Sequence, residues 1–167
     1  MDGEPTARTL LEGPFTQQNG DISPDGRWLA YSSNESEAPE PEIFVQAFPE
    51  LGKKVQISTD GGRWHLWAPD GTQLYYRNGG KMMAVSVETE PSFKPGIPEV
   101  LFEGSYFEPE NKGRNYDISP DGERFLMIEG RPVKDDEQVS EMSPRRELII
   151  VENWLEEIKR LAPHMEE

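Results

Sequence analysis

Asp21-Ile22-Ser23-Pro24-Asp25-Gly26 and Asp117-Ile118-Ser119-Pro120-Asp121-Gly122 are the same six residues written twice, and Leu66-Trp67-Ala68-Pro69-Asp70-Gly71 is a third version between them. The three prolines stand 45 and 51 residues apart. Proline pre-sets φ for the first central position of a turn, aspartate bonds backbone two residues on, and glycine accepts positive φ. An apolar run follows each copy: Trp28-Leu29-Ala30-Tyr31, Leu74-Tyr75-Tyr76 and Phe125-Leu126-Met127-Ile128. Short apolar runs on both sides of such a turn read as a hairpin.

Further strands fill the intervals. Glu42 to Phe48 and Lys54 to Ser58 follow the first hairpin, Lys81 to Val87 and Glu99 to Phe102 the second, and Glu147 to Val151 the third. Antiparallel groups of four strands recurring every 45 to 51 residues predict an all-β chain of three four-stranded β-propeller blades. Residues 18–60, 61–104 and 113–152 are the expected blades 1, 2 and 3. The third lacks a fourth strand, because Asn153 to Leu161 reads as a short C-terminal helix (153–162) with Asn153 as N-cap and Pro163 beyond its end. The N-terminus supplies the missing strand: residues 8–13, Arg-Thr-Leu-Leu-Glu-Gly, resemble Glu99 to Gly104 and are expected to complete the last blade.

Three blades fall short of the usual four to eight. A lone wedge would expose two apolar faces and a strand edge, both of which favour association. The expected remedy is a homodimer, a six-bladed ring in which each N-terminal strand completes the partner chain's last blade; a piece of a longer protein is the competing explanation. The 167 residues carry 17 Lys and Arg against 32 Asp and Glu, a net charge of −15. That balance disfavours nucleic acid and anionic membranes as partners. The absence of cysteine removes disulfides and thiolate sites, and only His65 and His164 are available as imidazoles. No apolar run is long enough to span a membrane, and the chain reads as soluble.

The three Pro-Asp-Gly units resemble the Ser-Pro-Asp-Gly repeat of TolB-like, WD-repeat-like bacterial β-propellers, over roughly residues 8–162. Leu74 to Val87, Leu101 to Gly104, Tyr116 to Gly122 and Asn153 to Lys159 are similar to the C-terminal half of propellers fused to bacterial serine/threonine kinases. The resemblance implies a fold and a binding habit, an extracytoplasmic location (a cytoplasmic one stays open), and no catalytic motif. Relatives with six or more blades in one chain differ from this sequence in length.

Inner-strand residues are expected to line the central channel, where a protein or small-molecule ligand would bind. The candidates are Asp21, Arg63, Trp64, His65, Arg114, Asn115 and Asp117, with stacking and charge-assisted bonds as the means; a merely water-filled channel is the alternative. Asp25, Asp70 and Asp121 read as turn residues, since a six-residue turn lacks the spaced oxygens of a calcium loop. No cofactor or metal is expected. A serine elbow and a phosphate loop are both absent, so the expected function is a non-catalytic binding or scaffold module. The alternatives are an enzyme of hydrolase or lyase type using channel residues, and a fragment of a kinase- or transporter-associated sensor. The acidic, proline-containing loops at Asn34 to Pro41 and Pro132 to Arg146 would suit a basic protein partner.

Overall fold

The computed structural model describes residues 7–36, 38–108, 113–130 and 146–152. Among them the chain forms twelve β-strands and no helix. The first sheet runs β1 (Gln17–Ile22), β2 (Trp28–Ser33), β3 (Glu42–Ala47) and β4 (Val55–Gln56), each antiparallel to its neighbour. The second is β5 (Arg63–Trp67), β6 (Gln73–Asn78) and β7 (Lys81–Glu88), with an outer strand split into β8 (Lys94–Pro95) and β9 (Glu99–Glu103), both paired to β7. The third is β10 (Asp117–Ile118), β11 (Phe125–Gly130) and β12 (Arg146–Val151). Apart from β9, which pairs with β7, neighbouring strands are consecutive in sequence.

Two-residue alternation assigns each strand's side chains to two faces. Ala30, Ile43 and Val45 of the first sheet meet Trp67, Leu74, Tyr76 and Val85 of the second in one core. Tyr75, Met82 and Ala84, on the opposite face of the second sheet, meet Phe125 and Met127 of the third. The sheets therefore stack in chain order, face to face, as blades do. Aromatic contacts join the layers: Trp28 of the first sheet meets Phe93, just before β8 of the second, and Tyr75 of the second meets Phe125 of the third edge-on, each at 5.0 Å between ring centroids.

Each Pro-Asp-Gly turn closes with the same bonds. Gly26, Gly71 and Gly122 have φ of 72°, 73° and 76°, and their N–H groups donate to Ser23, Ala68 and Ser119 carbonyls. Asp25 Oδ1 accepts from the Ser23 hydroxyl and from Arg27 N–H, while Ser23 Oγ accepts the N–H of Trp28 at 2.9 Å. Ser119 and Asp121 repeat that pattern with Glu123 and Arg124. The middle copy has Ala68 instead of serine, and the Thr72 hydroxyl takes over, donating to Asp70 at 2.9 Å. These bonds hold the Asp121 carboxyl down at about 2, the Ser119 hydroxyl being the largest cause.

One expectation changes. Residues 8–13 form no strand in this chain: Leu10 and Leu11 pack on Leu29, Tyr31 and Phe44, and Arg8 lies beside Pro49 and Glu50. The apolar pair finds a face of its own first sheet nearer than any distant strand edge. The third sheet has three strands among the described residues, with no strand added to β12. The expected helix at 153–162 and most of the loop from Pro132 lie outside the described residues. Among the described residues no helix is long and apolar enough to cross a membrane.

Candidate functional site

The strands enter and leave the stack at two rims. The Pro-Asp-Gly turns occupy one; the connections around residues 38–41, 57–62, 78–81 and 104–108 occupy the other. On this second rim lies a cleft of about 270 Å³, lined by Glu40, Asp60, Gly61 and Gly62 from the first two sheets' connections, Arg63, Trp64, Arg77, Asn78 and Gly79 from the second sheet, and Glu108.

Hydrogen bonds fix its walls. Glu42, 1% exposed at the start of β3, accepts the Ser58 hydroxyl and the Gly61 N–H (3.0 Å), and Ser58 Oγ accepts the N–H of Ile43. Asn78 Nδ2 donates to the Asp60 carbonyl at 3.1 Å. The connection at 57–62 is thus tied to β3 on one side and to the β6–β7 turn on the other. Gly62 has no room for a side chain: a Cβ there would stand 2.8 Å from Ile43 Cδ1 and from Ser58 Oγ.

Arg77 forms the floor. Its side chain is 1% exposed, donating from Nη1 to the Phe107 carbonyl and from Nη2 to the Gly79 carbonyl, each at 2.9 Å. Its guanidinium lies 5.3 Å from the Trp64 ring and 5.6 Å from the Tyr106 ring, a doubly stacked cation. Burial pulls its pKa down, opposed by Glu108. Trp64 has φ of 53°, in the left-handed region, inside a bulge between Arg63 and Leu66. Asn19 takes the same conformation, φ 55°, at the same place in the first repeat. Asparagine adopts it readily, whereas tryptophan there stores backbone strain.

The seven inner-strand candidates divide by position. Arg63 lies at the cleft, half-buried, donating from Nε to Glu40 at 3.0 Å. Trp64 is buried beneath it. Asp21 and the backbone of His65, on innermost strands, come together with Arg114, three residues before β10: Arg114 Nη1 is 3.9 Å from Asp21 Oδ2 and 3.4 Å from the His65 carbonyl. Asp21 Oδ2 also accepts the N–H of Trp67, at 3.2 Å; burial nonetheless raises its carboxyl pKa. The His65 imidazole is turned between the first and second sheets, 1% exposed, with Nδ1 3.4 Å from Ser32 Oγ. Burial, with a smaller push from Arg114, lowers it to about 4. Asn115 is half-buried and donates to the Phe107 carbonyl, while Asp117 is exposed and accepts the N–H of Ile118. Arg77, Glu42, Asp60 and Glu108 were not among the candidates. The available signal was a charge, Arg77 or Glu42, at a strand position whose neighbours require an apolar side chain.

No protein-family model and no curated protein matches the chain. Among solved structures it is similar to oligogalacturonate lyase from Vibrio parahaemolyticus, with a TM-score of 0.54 and 19% sequence identity over 78% of this chain. The chain spans 35% of that protein's length. That likeness concerns the fold: stacked antiparallel sheets of the β-propeller kind.

Proposed function

We propose that this chain is a non-catalytic binding module of propeller type, taking a basic peptide segment at the rim cleft. The observation that carries it is the cleft's charge. Glu40, Asp60 and Glu108 line it, three carboxylates against two guanidiniums: that of Arg63, which Glu40 engages, and that of buried Arg77, whose Nη2 lies 3.4 Å from Glu108 Oε1. A lysine or arginine side chain brings the cationic donors that such carboxylates accept. The walls are preorganised by the Glu42–Ser58–Gly61 bonds, so a ligand meets a formed site with little left to order. The net charge of −15 adds long-range attraction for a basic partner, strongest at low salt.

His65 supports the non-catalytic reading. It is the one histidine among the described residues, and its imidazole is enclosed between sheets, away from the cleft. The lyase name of the structural neighbour belongs to that protein. For this chain the ring itself needs covers on its two outer sheet faces, and a second copy has both.

Calorimetric titration with a Lys/Arg-rich peptide, against a Glu/Asp-rich control, tests the cleft. Binding of the basic peptide alone, weakened several-fold by Asp60→Asn with Glu108→Gln and by added salt, is the expected result. Equal or absent binding of the two peptides would overturn the reading.

A further inference from the structure

The exposed apolar side chains of the third sheet fall on one face. Leu126 pairs with Ile150 and Ile128 with Leu148 across β11 and β12. Leu126, Leu148 and Ile150 are 41%, 69% and 63% exposed, while Phe125 and Met127, pointing the other way, are buried against the second sheet.

The molecule shows twice what covers such a face. Counted from the turn proline, residues at the fifth and seventh positions (Leu74 and Tyr76; Phe125 and Met127) lie against the preceding sheet. Residues at the sixth position (Ala30; Tyr75) lie against the following one, and Tyr75 on Phe125 is that contact. Leu126 holds the sixth position of the third repeat. Its counterparts at the fifth and seventh positions of the first repeat, Leu29 and Tyr31, face away from the second sheet beneath Leu10 and Leu11. Ile22, two before Pro24, is 47% exposed, although its equivalents Trp67 and Ile118 both pack into cores.

A polar contact between the first two sheets has its counterpart on the third. Asp21, three before its proline, accepts the N–H of Trp67, two before the next proline. Asp117 holds the Asp21 position and is exposed; the N–H in the Trp67 position of a following first repeat is that of Ile22. The apolar face and its acceptor on the third sheet thus match, position for position, the outer face of the first sheet of the same chain.

We propose that a second copy of this chain docks its first sheet on the third sheet, setting Leu126 against Leu29 of the partner subunit, with Asp117 accepting the N–H of the partner's Ile22. The reciprocal contact closes a two-fold ring of six sheets. This rests on the propeller reading and replaces strand exchange as the closing device. Leu10 and Leu11 cover Leu29 in the single chain, so docking displaces them. Both copies carry −15, so salt strengthens the association.

Light scattering on the full chain over a wide concentration range tests it. The expected mass is twice 19.0 kDa, falling to 19.0 kDa for Ile150→Glu and for Leu126→Glu with unchanged circular dichroism. Both positions are exposed in the single chain, so a charge there leaves the fold intact. Leu10→Ser with Leu11→Ser removes the competing cover and tightens the dimer several-fold. A 19.0 kDa species at every concentration, a dimer indifferent to both glutamates, or a spread of larger masses would each overturn the proposal, and a weakened Leu10/Leu11 dimer would overturn the displacement. A monomer that still takes up the basic peptide fails this inference alone; a dimer that ignores the peptide fails the cleft reading alone.

Discussion

Asp21 accepts the backbone N–H of Trp67 through Oδ2 at 3.2 Å, and the Asp21 carbonyl accepts Trp67 Nε1 at the same distance, so one residue ties the innermost strands of two sheets. Arg114 reaches the same carboxylate from beyond the second sheet. Asp21→Ala leaves the Trp67 N–H without its acceptor in a half-buried place. The expected loss is about 1–3 kcal/mol, read as a lower urea midpoint at unchanged slope. Asp21→Asn keeps an acceptor oxygen and is expected to lose less than alanine. Equal losses would mean that the carboxylate's charge, through Arg114, matters more than the bond.

His65 makes stability depend on acidity. Its folded value of about 4 lies below the unfolded value near 6.5, so the unfolded chain takes up the proton first. Its contribution is fully present above about pH 6.5 and is lost as pH falls from there toward 4, to a total of about 3 kcal/mol. Ser32 and the backbone at Asn19 and Ala30 surround the ring, with Arg114 as the nearest charge. Urea unfolding across this range is expected to show a steeper pH dependence for the native chain than for His65→Gln. Parallel curves would place the acid sensitivity elsewhere.

The repeat was legible because turn chemistry is local. Ser23, Asp25 and Gly26 bond one another within six residues, and the same letters at 119, 121 and 122 do the same. The inner-strand candidates were harder to place, since an innermost strand alternates like any other. Trp64 and Leu66 pack toward the third sheet, whereas Trp67 packs, and His65 points, toward the first. Reading all of them into one channel ignored that alternation. The cleft was illegible for another reason: Glu40, Arg77 and Glu108 lie far apart in sequence and meet only once three sheets stack. The fate of residues 8–13 rested on a likeness to Glu99 to Gly104 that says nothing about which chain's surface is nearest.

Glu42 holds the cleft wall from inside. Its two oxygens take the Ser58 hydroxyl and the Gly61 N–H, both buried. Glu42→Ala strands these donors and is expected to cost about 1–3 kcal/mol, with faster amide hydrogen exchange at Gly61 as the local readout. Glu42→Gln retains an acceptor and should protect Gly61 better than alanine does. Unchanged exchange in both variants would remove Glu42 from the account of how the cleft is built.

Two glycines separate crowding from conformation. Gly26 has φ of 72° and open space where a methyl group would stand, so Gly26→Ala meets only the left-handed penalty, about 1–2 kcal/mol. Gly62 has no positive φ, but its Cβ would press on Ile43 Cδ1 and Ser58 Oγ at 2.8 Å. Overpacking of that kind costs about 1–3 kcal/mol, so thermal stability alone does not tell the two apart. Peptide binding does. Ser58 is the hydroxyl that Glu42 uses to hold residues 57–62, so pushing it aside shifts the wall that carries Asp60 and Gly61. Gly62→Ala is therefore expected to weaken uptake of the basic peptide several-fold below its own unfolding temperature. Gly26→Ala, on the opposite rim, should leave that uptake unchanged; the same loss in both variants would point to global loosening as the cause.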